Sequence, residues 1–167
     1  MSGTLSRWTM PILRVSMGVF LALWGVDKLV AAAGAQRIFA TFYDFPIGAT
    51  AVRLAGAAEI ALGLLLAAGL FRAPAAWLTL AVNTISTVAS WRQILDPWGL
   101  LGLGKGGSHL FLASIVLLAA SVVLVLNARD ATLSLDARLG GTSAGRDPIG
   151  NDTVATADPT LLEGRRR

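Results

Sequence analysis

The residues in this chain that could do chemistry are five charged or titratable side chains set in or beside long apolar stretches. Arg53 and Glu59 lie within the segment GATAVRLAGAAEIALGLLLAAGLF, while Asp27, Lys28 and His109 belong to two other apolar regions. Roughly 20 apolar residues are enough to cross the ~30 Å hydrocarbon core of a bilayer. A charge at the centre of such a segment costs ~3 kcal/mol or more, so it usually faces protein or a water-filled cavity.

Helical periodicity places charges and glycines together on one face of each of the first two apolar segments. At about 100° per residue, these two faces carry Arg14, Gly18, Leu21, Gly25 and Lys28 in the first segment, and Arg53, Gly56, Glu59, Gly63 and Ala67 in the second. Small residues let helices approach closely in lipid. We therefore expect two transmembrane helices whose polar faces are buried against partner helices, with Arg14 as a further buried charge.

Composition points to a small integral membrane protein. Of the 167 residues, 54% are hydrophobic and only 14% are charged, with a mean hydropathy of +0.65, whereas a typical soluble domain is about 25% charged. The absence of cysteine excludes disulfides, iron–sulfur ligation and thiol catalysis by this chain, and a single histidine with few carboxylates argues against a metal site. The net charge is only +4 and the basic residues are scattered, so nucleic-acid binding is not indicated.

The sequence predicts an all-α integral membrane four-helix bundle, followed by a polar tail. The predicted helices cover about residues 10–33, 48–71, 74–92 and 108–127, with a loop over residues 34–47 and a mostly disordered tail over residues 128–167. The first run is longer than the apolar core of a signal peptide and carries charges, which favours a retained helix over a cleaved one. The fourth has an uncharged apolar body and should be the helix most exposed to lipid.

The third predicted helix carries a polar stripe. Its hydroxyl and amide side chains lie within about 100° of one another: Thr79, Asn83, Ser86, Thr87 and Ser90. Such groups form hydrogen bonds between helices in lipid. Packing is the favoured interpretation of the stripe, and a path for water or a ligand is the alternative.

A slight excess of basic residues at the end that carries both termini predicts that the N- and C-termini face the cytoplasm. The first two helices are then antiparallel, and Lys28 and Glu59 lean toward one another because side chains tilt toward their own helix N-terminus. We expect a polar cluster in the outer half of the membrane, made of Asp27, Lys28, Arg53, Glu59 and His109. It is either an ion network that fixes helix register or a site for a proton, a quinone head group or a small polar ligand.

Three stretches together resemble the DoxX-like family of small four-helix bacterial membrane proteins. They are LRVSMGVFLALWGVDKL, RLAGAAEIALGLLLAAGLFRAPAA and SHLFLASIVLL. The resemblance implies a multi-pass protein of the bacterial cytoplasmic (inner) membrane. The family includes a small subunit of thiosulfate:quinone oxidoreductase and relatives linked to redox-stress complexes and to methylamine-dehydrogenase maturation.

The resemblance leaves three functional hypotheses. The first is a non-catalytic membrane anchor for an oxidoreductase complex, with a redox protein or another membrane subunit as partner. The second is a subunit that borders a quinone site, in which His109 or Glu59 handles the proton and Trp91 or Trp98 borders the head group. The third is a small-solute or proton-coupled transporter, which would need homo-oligomers. A purely structural membrane protein with no catalysis of its own is the remaining alternative. No motif for a tightly bound cofactor is present, and a single histidine supplies at most one axial haem ligand.

Overall fold

The chain is mainly helical in the part that the computed structural model describes, which comprises residues 2–103, 109–129 and 132–136, with side chains from residue 8 onward. The α-helices are α1 (Ser2–Val30), α2 (Ala32–Phe42), α3 (Ala49–Ala68), α4 (Arg72–Ala89), α5 (Trp91–Leu95) and α6 (Ala113–Leu126). A short 3₁₀ helix, His109–Leu112, leads into α6. These ranges contain no β-strand.

Three helical stretches are long and apolar enough to cross a membrane: Trp8–Val30, Ala49–Ala68 and His109–Leu126. The third buries only 11% of its residues, against 39% and 28% for the other two, which agrees with the expectation that the last helix is the most exposed to lipid. Helix α4 is not among the candidate spans. The four-span bundle and the cytoplasmic location of both termini therefore stay predictions.

Among the described elements, helices α1 and α3 form the most extensive contact, and they run antiparallel. Gly18 contacts Gly63, and Gly25 contacts Gly56. Residue numbers therefore increase along α1 where they decrease along α3. A Cβ atom added at Gly18 would lie 2.5 Å from the carbonyl oxygen of Gly63 and 2.8 Å from Cβ of Ala67. Only glycine allows two backbones to come this close, because it has no Cβ.

One apolar core draws on the four long helices. It consists of residues from α1, α3, α4 and α6: Met17, Leu21, Leu62, Leu66, Ala75, Ala76 and Leu124. Helix α4 packs mainly along α6, and the two are joined by a hydrogen bond from Asn83 Nδ2 to Ser121 Oγ of 2.7 Å. These contacts hold the helices that surround the site described below.

The predicted loop over residues 34–47 is wrong for its first part, because α2 occupies residues 32–42. Alanine favours helix, and Ala32 and Ala35 are buried against Val52 of α3. Gln36 Nε2 donates to the carbonyl oxygen of Ile47 at 2.9 Å, which ties the end of the following turn back to α2. Only Ala31 therefore separates α1 from α2, and the short helix α2 packs on α3.

Part of the predicted tail packs against the helices. Arg14, only 6% exposed, donates from its guanidinium to the carbonyl oxygens of Thr132 and Leu133, at 3.0 Å each. The Asp136 carboxylate accepts the backbone N–H groups of Phe71 and Arg72 at 3.2 Å each. Residues 132–136 are thus held against Arg14 of α1 and the start of α4. Residues 130–131 and 137–167 of the predicted disordered tail lie outside the described residues.

Asp136 is held in its ionised form at this position. Desolvation by burial opposes ionisation, but the hydrogen bonds from the two backbone N–H groups and from the Arg72 side chain outweigh it, and the pKa of Asp136 lies below its ordinary value. The nearby positive charge of Arg72, whose Nε lies 3.3 Å from the carboxylate, acts in the same direction. Arg14 and Asp136 together explain why this segment follows the helices closely.

Replacing Gly18 with alanine should force α1 and α3 apart. Overpacking of a well-packed contact costs about 1–3 kcal/mol, so the free energy of unfolding in detergent should fall by that amount. Gly34→Ala is the matched control, because a Cβ at Gly34 in α2 meets no atom within 4 Å. Thermal unfolding followed by circular dichroism measures both variants, and equal midpoints for the two would contradict the close contact.

Candidate functional site

An ion pair joins α1 to α3 near one end of their contact. Lys28 Nζ lies 2.6 Å from Glu59 Oε2, and the two side chains are only 8% and 15% exposed. The adjacent Gly25–Gly56 contact brings the two backbones together, and Cβ of Lys28 lies 2.9 Å from where a Cβ of Gly56 would be. Because neither glycine has a side chain, the backbones of α1 and α3 lie close together beside the ion pair.

A cavity of about 110 Å³ lies beside this ion pair. Most of its walls are apolar and many are aromatic: Phe20, Leu21, Trp24, Ile38, Val82, Leu110, Phe111, Ala113 and Leu117. Its polar wall groups are Tyr43, Glu59, Asn83, Ser86 and Ser114. The cavity thus offers an aromatic slot with one carboxylate, one phenol and a few neutral hydrogen-bonding groups.

A smaller hollow of about 60 Å³ adjoins the cavity. The two spaces share five lining residues, namely Trp24, Ile38, Tyr43, Glu59 and Ser86. The hollow adds Asp27 and Lys28 to its walls. Glu59 therefore lies between an apolar space and a more polar one that reaches the exposed Asp27 side chain.

The segment after α2 closes one end of the cavity. Phe42 packs on Phe111 with ring centroids 5.0 Å apart, and Tyr43 lies 6.2 Å from the same ring. Gln93 Nε2 donates to the Phe42 carbonyl oxygen at 3.1 Å, which holds this segment against α5. Burial raises the pKa of the Tyr43 phenol above its ordinary value, and the negative charge of Glu59 raises it further.

The five residues of the predicted polar cluster are only partly brought together. Lys28 and Glu59 form the ion pair, and Asp27 lies in the wall of the adjoining hollow. Arg53 is exposed and forms no ion pair with any residue in the described ranges. This position follows from helix geometry, because Arg53 lies about 120° around α3 from Glu59.

His109 lies outside the cavity. Its ring is exposed and packs edge-on against Trp98, with centroids 5.8 Å apart. The next two residues, Leu110 and Phe111, line the cavity instead. These wall residues and His109 all belong to the 3₁₀ helix His109–Leu112.

The polar stripe of α4 is mostly satisfied by its own helix. The hydroxyls of Thr79, Thr87 and Ser90 donate to the carbonyl oxygens of Ala75, Asn83 and Ser86, at 2.8, 2.7 and 2.7 Å. Asn83 bonds to Ser121 across the interface with α6. These bonds agree with the packing interpretation, and only Asn83 and Ser86 of the stripe also reach the cavity.

Sequence reasoning missed the aromatic walls. Phe20, Trp24, Tyr43 and Phe111 line the cavity, whereas Trp91 and Trp98, the two tryptophans expected beside a head group, do not. The signal for Phe20 and Trp24 was present in the sequence, since they are spaced by four residues on one helix and stack at 5.9 Å. Nothing in the local pattern indicated that Tyr43 and Phe111, which are distant in sequence, would meet.

A metal-binding group is not found in residues 2–103, 109–129 and 132–136, where no three His, Asp or Glu side chains are grouped to hold an ion. The chemistry available at the site is that of Glu59, Lys28 and Tyr43 together with the neutral polar side chains. These groups can donate or accept hydrogen bonds, and the carboxylate can hold a proton.

Removing one partner of the ion pair should be costly. We expect Glu59→Ala to lower the free energy of unfolding by ~3 kcal/mol or more, because it leaves Lys28 buried without its counter-ion. The double variant with Lys28→Ala should cost less than the two single changes summed. Exposed Arg53→Ala on the same helix is the control. Unfolding in mixed detergent micelles measures all four, and strictly additive costs would contradict a direct pair.

Comparison with known families supports one assignment. The DoxX family model matches residues 9–92, which cover α1 to α4 and the first residues of α5. No curated protein and no solved structure matches the chain. The match includes Lys28, Glu59 and the glycines between α1 and α3, and it covers half of the sequence. The chain belongs to the DoxX family.

Proposed function

We propose that this protein is a membrane subunit of an oxidoreductase complex and that it receives the head group of a quinone in the cavity beside Lys28 and Glu59. The observation that carries the proposal is an aromatic cavity that touches a buried ion pair and has surface-exposed walls. Trp24 is 39% exposed and Leu110 is 65% exposed, so the space is bordered by residues at the outer faces of α1 and the 3₁₀ helix. A lipophilic ligand could enter there from the bilayer.

The cavity is too small for a whole lipid. An apolar cavity of about 150 Å³ takes up a molecule such as benzene, and this one measures about 110 Å³. A quinone ring, which is larger than benzene, would enter the slot with one edge while its isoprenoid tail stays among lipid chains. When bound, a quinone supplies a lipid-soluble carrier of two electrons and two protons.

The residues of this chain would bind and orient the head group. The Tyr43 phenol and the Ser86 and Ser114 hydroxyls are suited to donate hydrogen bonds to carbonyl oxygens. Glu59 is the candidate proton-handling group at the cavity wall, where its carboxylate lies 2.6 Å from Lys28 Nζ. Electrons would come from a partner protein, since the chain has no cysteine and only one histidine.

The proposal also includes a membrane topology for the chain. Helix α4 would cross the membrane together with the three candidate spans, because it packs along α6 and α3. Both termini would then lie on the cytoplasmic side of a bacterial inner membrane, with the cavity in the outer half. An opening at the side of the helices favours this function over an axial path for a transported solute.

Filling the cavity should abolish quinone binding without touching the charges. Ser114→Phe places a ring in the space, and the affinity for a short-chain ubiquinone should fall at least about tenfold, equivalent to 1.4 kcal/mol. Val116→Phe is the matched control, because Val116 lies on the same helix and is 69% exposed. Quenching of tryptophan fluorescence in detergent measures binding. Equal affinities in both variants and the unmodified protein would contradict a quinone site here.

The subunit role has its own test. A tagged chain purified in mild detergent should retain a redox protein, which mass spectrometry identifies and an absorbance spectrum characterises. The proposal expects this partner even when Ser114→Phe blocks the cavity, because the anchor and the site are separate. A colourless chain that elutes alone under several mild detergents would contradict the subunit role.

A further inference from the structure

A second surface lies on the loop that follows α5, over residues 96–103, here called the apolar loop. Four of its side chains are large, apolar and exposed: Trp98 by 64%, Leu100 by 84%, Leu101 by 70% and Leu103 by 45%. None of these residues lines the cavity. A surface loop normally carries polar residues, so this composition requires an explanation.

The apolar loop has a defined conformation. The carboxylate of Asp96, a residue that is only 2% exposed, accepts the backbone N–H groups of Leu101 and Leu103 at 3.1 and 3.0 Å. Gly99 and Gly102 have φ values of +72° and +70°, a region that residues with a Cβ rarely adopt. The buried carboxylate and the two glycine turns together point the leucines outward.

The apolar loop contacts the start of the third candidate span. That span begins at His109, and the Trp98 ring lies 5.8 Å from the His109 ring. The short helix α5 also contacts the 3₁₀ helix that opens the span. Trp98 therefore lies beside the first described residue of this span, and the leucines are close to the same level.

Residues of α5 next to the apolar loop are also suited to the membrane interface. Trp91 is 47% exposed, and the Arg92 guanidinium lies 5.5 Å from its ring centre. Tryptophan is enriched where a membrane protein meets head groups, and arginine side chains near helix ends extend to the same region. Leu95, 61% exposed, continues the apolar surface between Trp91 and the loop.

We propose that the apolar loop is a membrane-interface anchor whose leucines insert among the lipid head groups and upper acyl chains. The bilayer is its partner because the exposed leucines lie level with the end of a span. Insertion would also fix the depth of α5 and the 3₁₀ helix, and with them the wall formed by Leu110 and Phe111. This inference does not depend on which ligand the cavity takes.

The chain has no cysteine, so single cysteines can be spin-labelled without background. Two variants, Leu100→Cys and Leu101→Cys, test the insertion. Each is labelled with a nitroxide and reconstituted in phosphatidylcholine vesicles that contain phosphatidylglycerol as a minor component. Collision rates with oxygen and with a water-soluble nickel chelate report the depth of each label. Val116→Cys on α6 is the lipid-facing reference, and a free soluble nitroxide is the aqueous one.

The anchor predicts nickel collisions severalfold below those of the free nitroxide, together with oxygen collisions below those of the more deeply placed Val116 label. Nickel collisions equal to those of the free nitroxide would overturn the proposal, because the loop would then lie in water. A second outcome would also overturn the proposal: low collision rates with both reagents, together with spin–spin broadening that vanishes on dilution with unlabelled protein. The loop would then contact a second copy of the chain.

Discussion

The close approach of α1 and α3 is the constraint on which the other features depend. In lipid, apolar side chains gain little by leaving their surroundings for a helix interface, so association relies on packing and on polar contacts. The Gly18–Gly63 and Gly25–Gly56 contacts remove the side chains that would otherwise separate the backbones. The short distance that results lets Lys28 and Glu59 meet without either side chain having to reach toward water.

The two buried cations of α1 have different surroundings. Arg14 directs its guanidinium at backbone carbonyl oxygens of residues 132 and 133, and the space beside it is very small, about 10 Å³. Lys28 pairs with a carboxylate that faces two larger spaces. The Arg14 end is therefore closed by its own chain, while the Lys28 end keeps a charged group beside room for a ligand.

From the sequence it was possible to predict which residues share one face of a helix. Because a helix repeats every 3.6 residues, Gly18, Gly25 and Lys28 had to share a face, and the structure brings that face against Gly56 and Glu59. Features that depend on contacts between distant elements were not predictable. Arg14 binds a carbonyl 118 residues away, and Tyr43 reaches the cavity only because α2 forms where a loop was expected.

The placement of His109 shows the same limit more sharply. As the only histidine beside an apolar run it was a natural candidate for proton chemistry. Which side chains at the start of a helix line a cavity depends on the turn that carries them, and in this 3₁₀ helix Leu110 and Phe111 line the cavity while His109 does not. Sequence periodicity assumes an α-helix from its first residue, so it cannot detect such a change.

The hydrogen bonds of α4 bear on what the protein does. A path for water or ions needs polar groups that are available to the passing species, but Thr79, Thr87 and Ser90 each donate to their own helix. Asn83 uses its amide to hold α6. The polar groups that face open space instead converge beside Glu59 and Tyr43, in an aromatic cavity. A slot of this kind suits a flat, mostly apolar ring with polar edges better than a hydrated solute, since each hydrated group would lose more hydrogen bonds than these walls return.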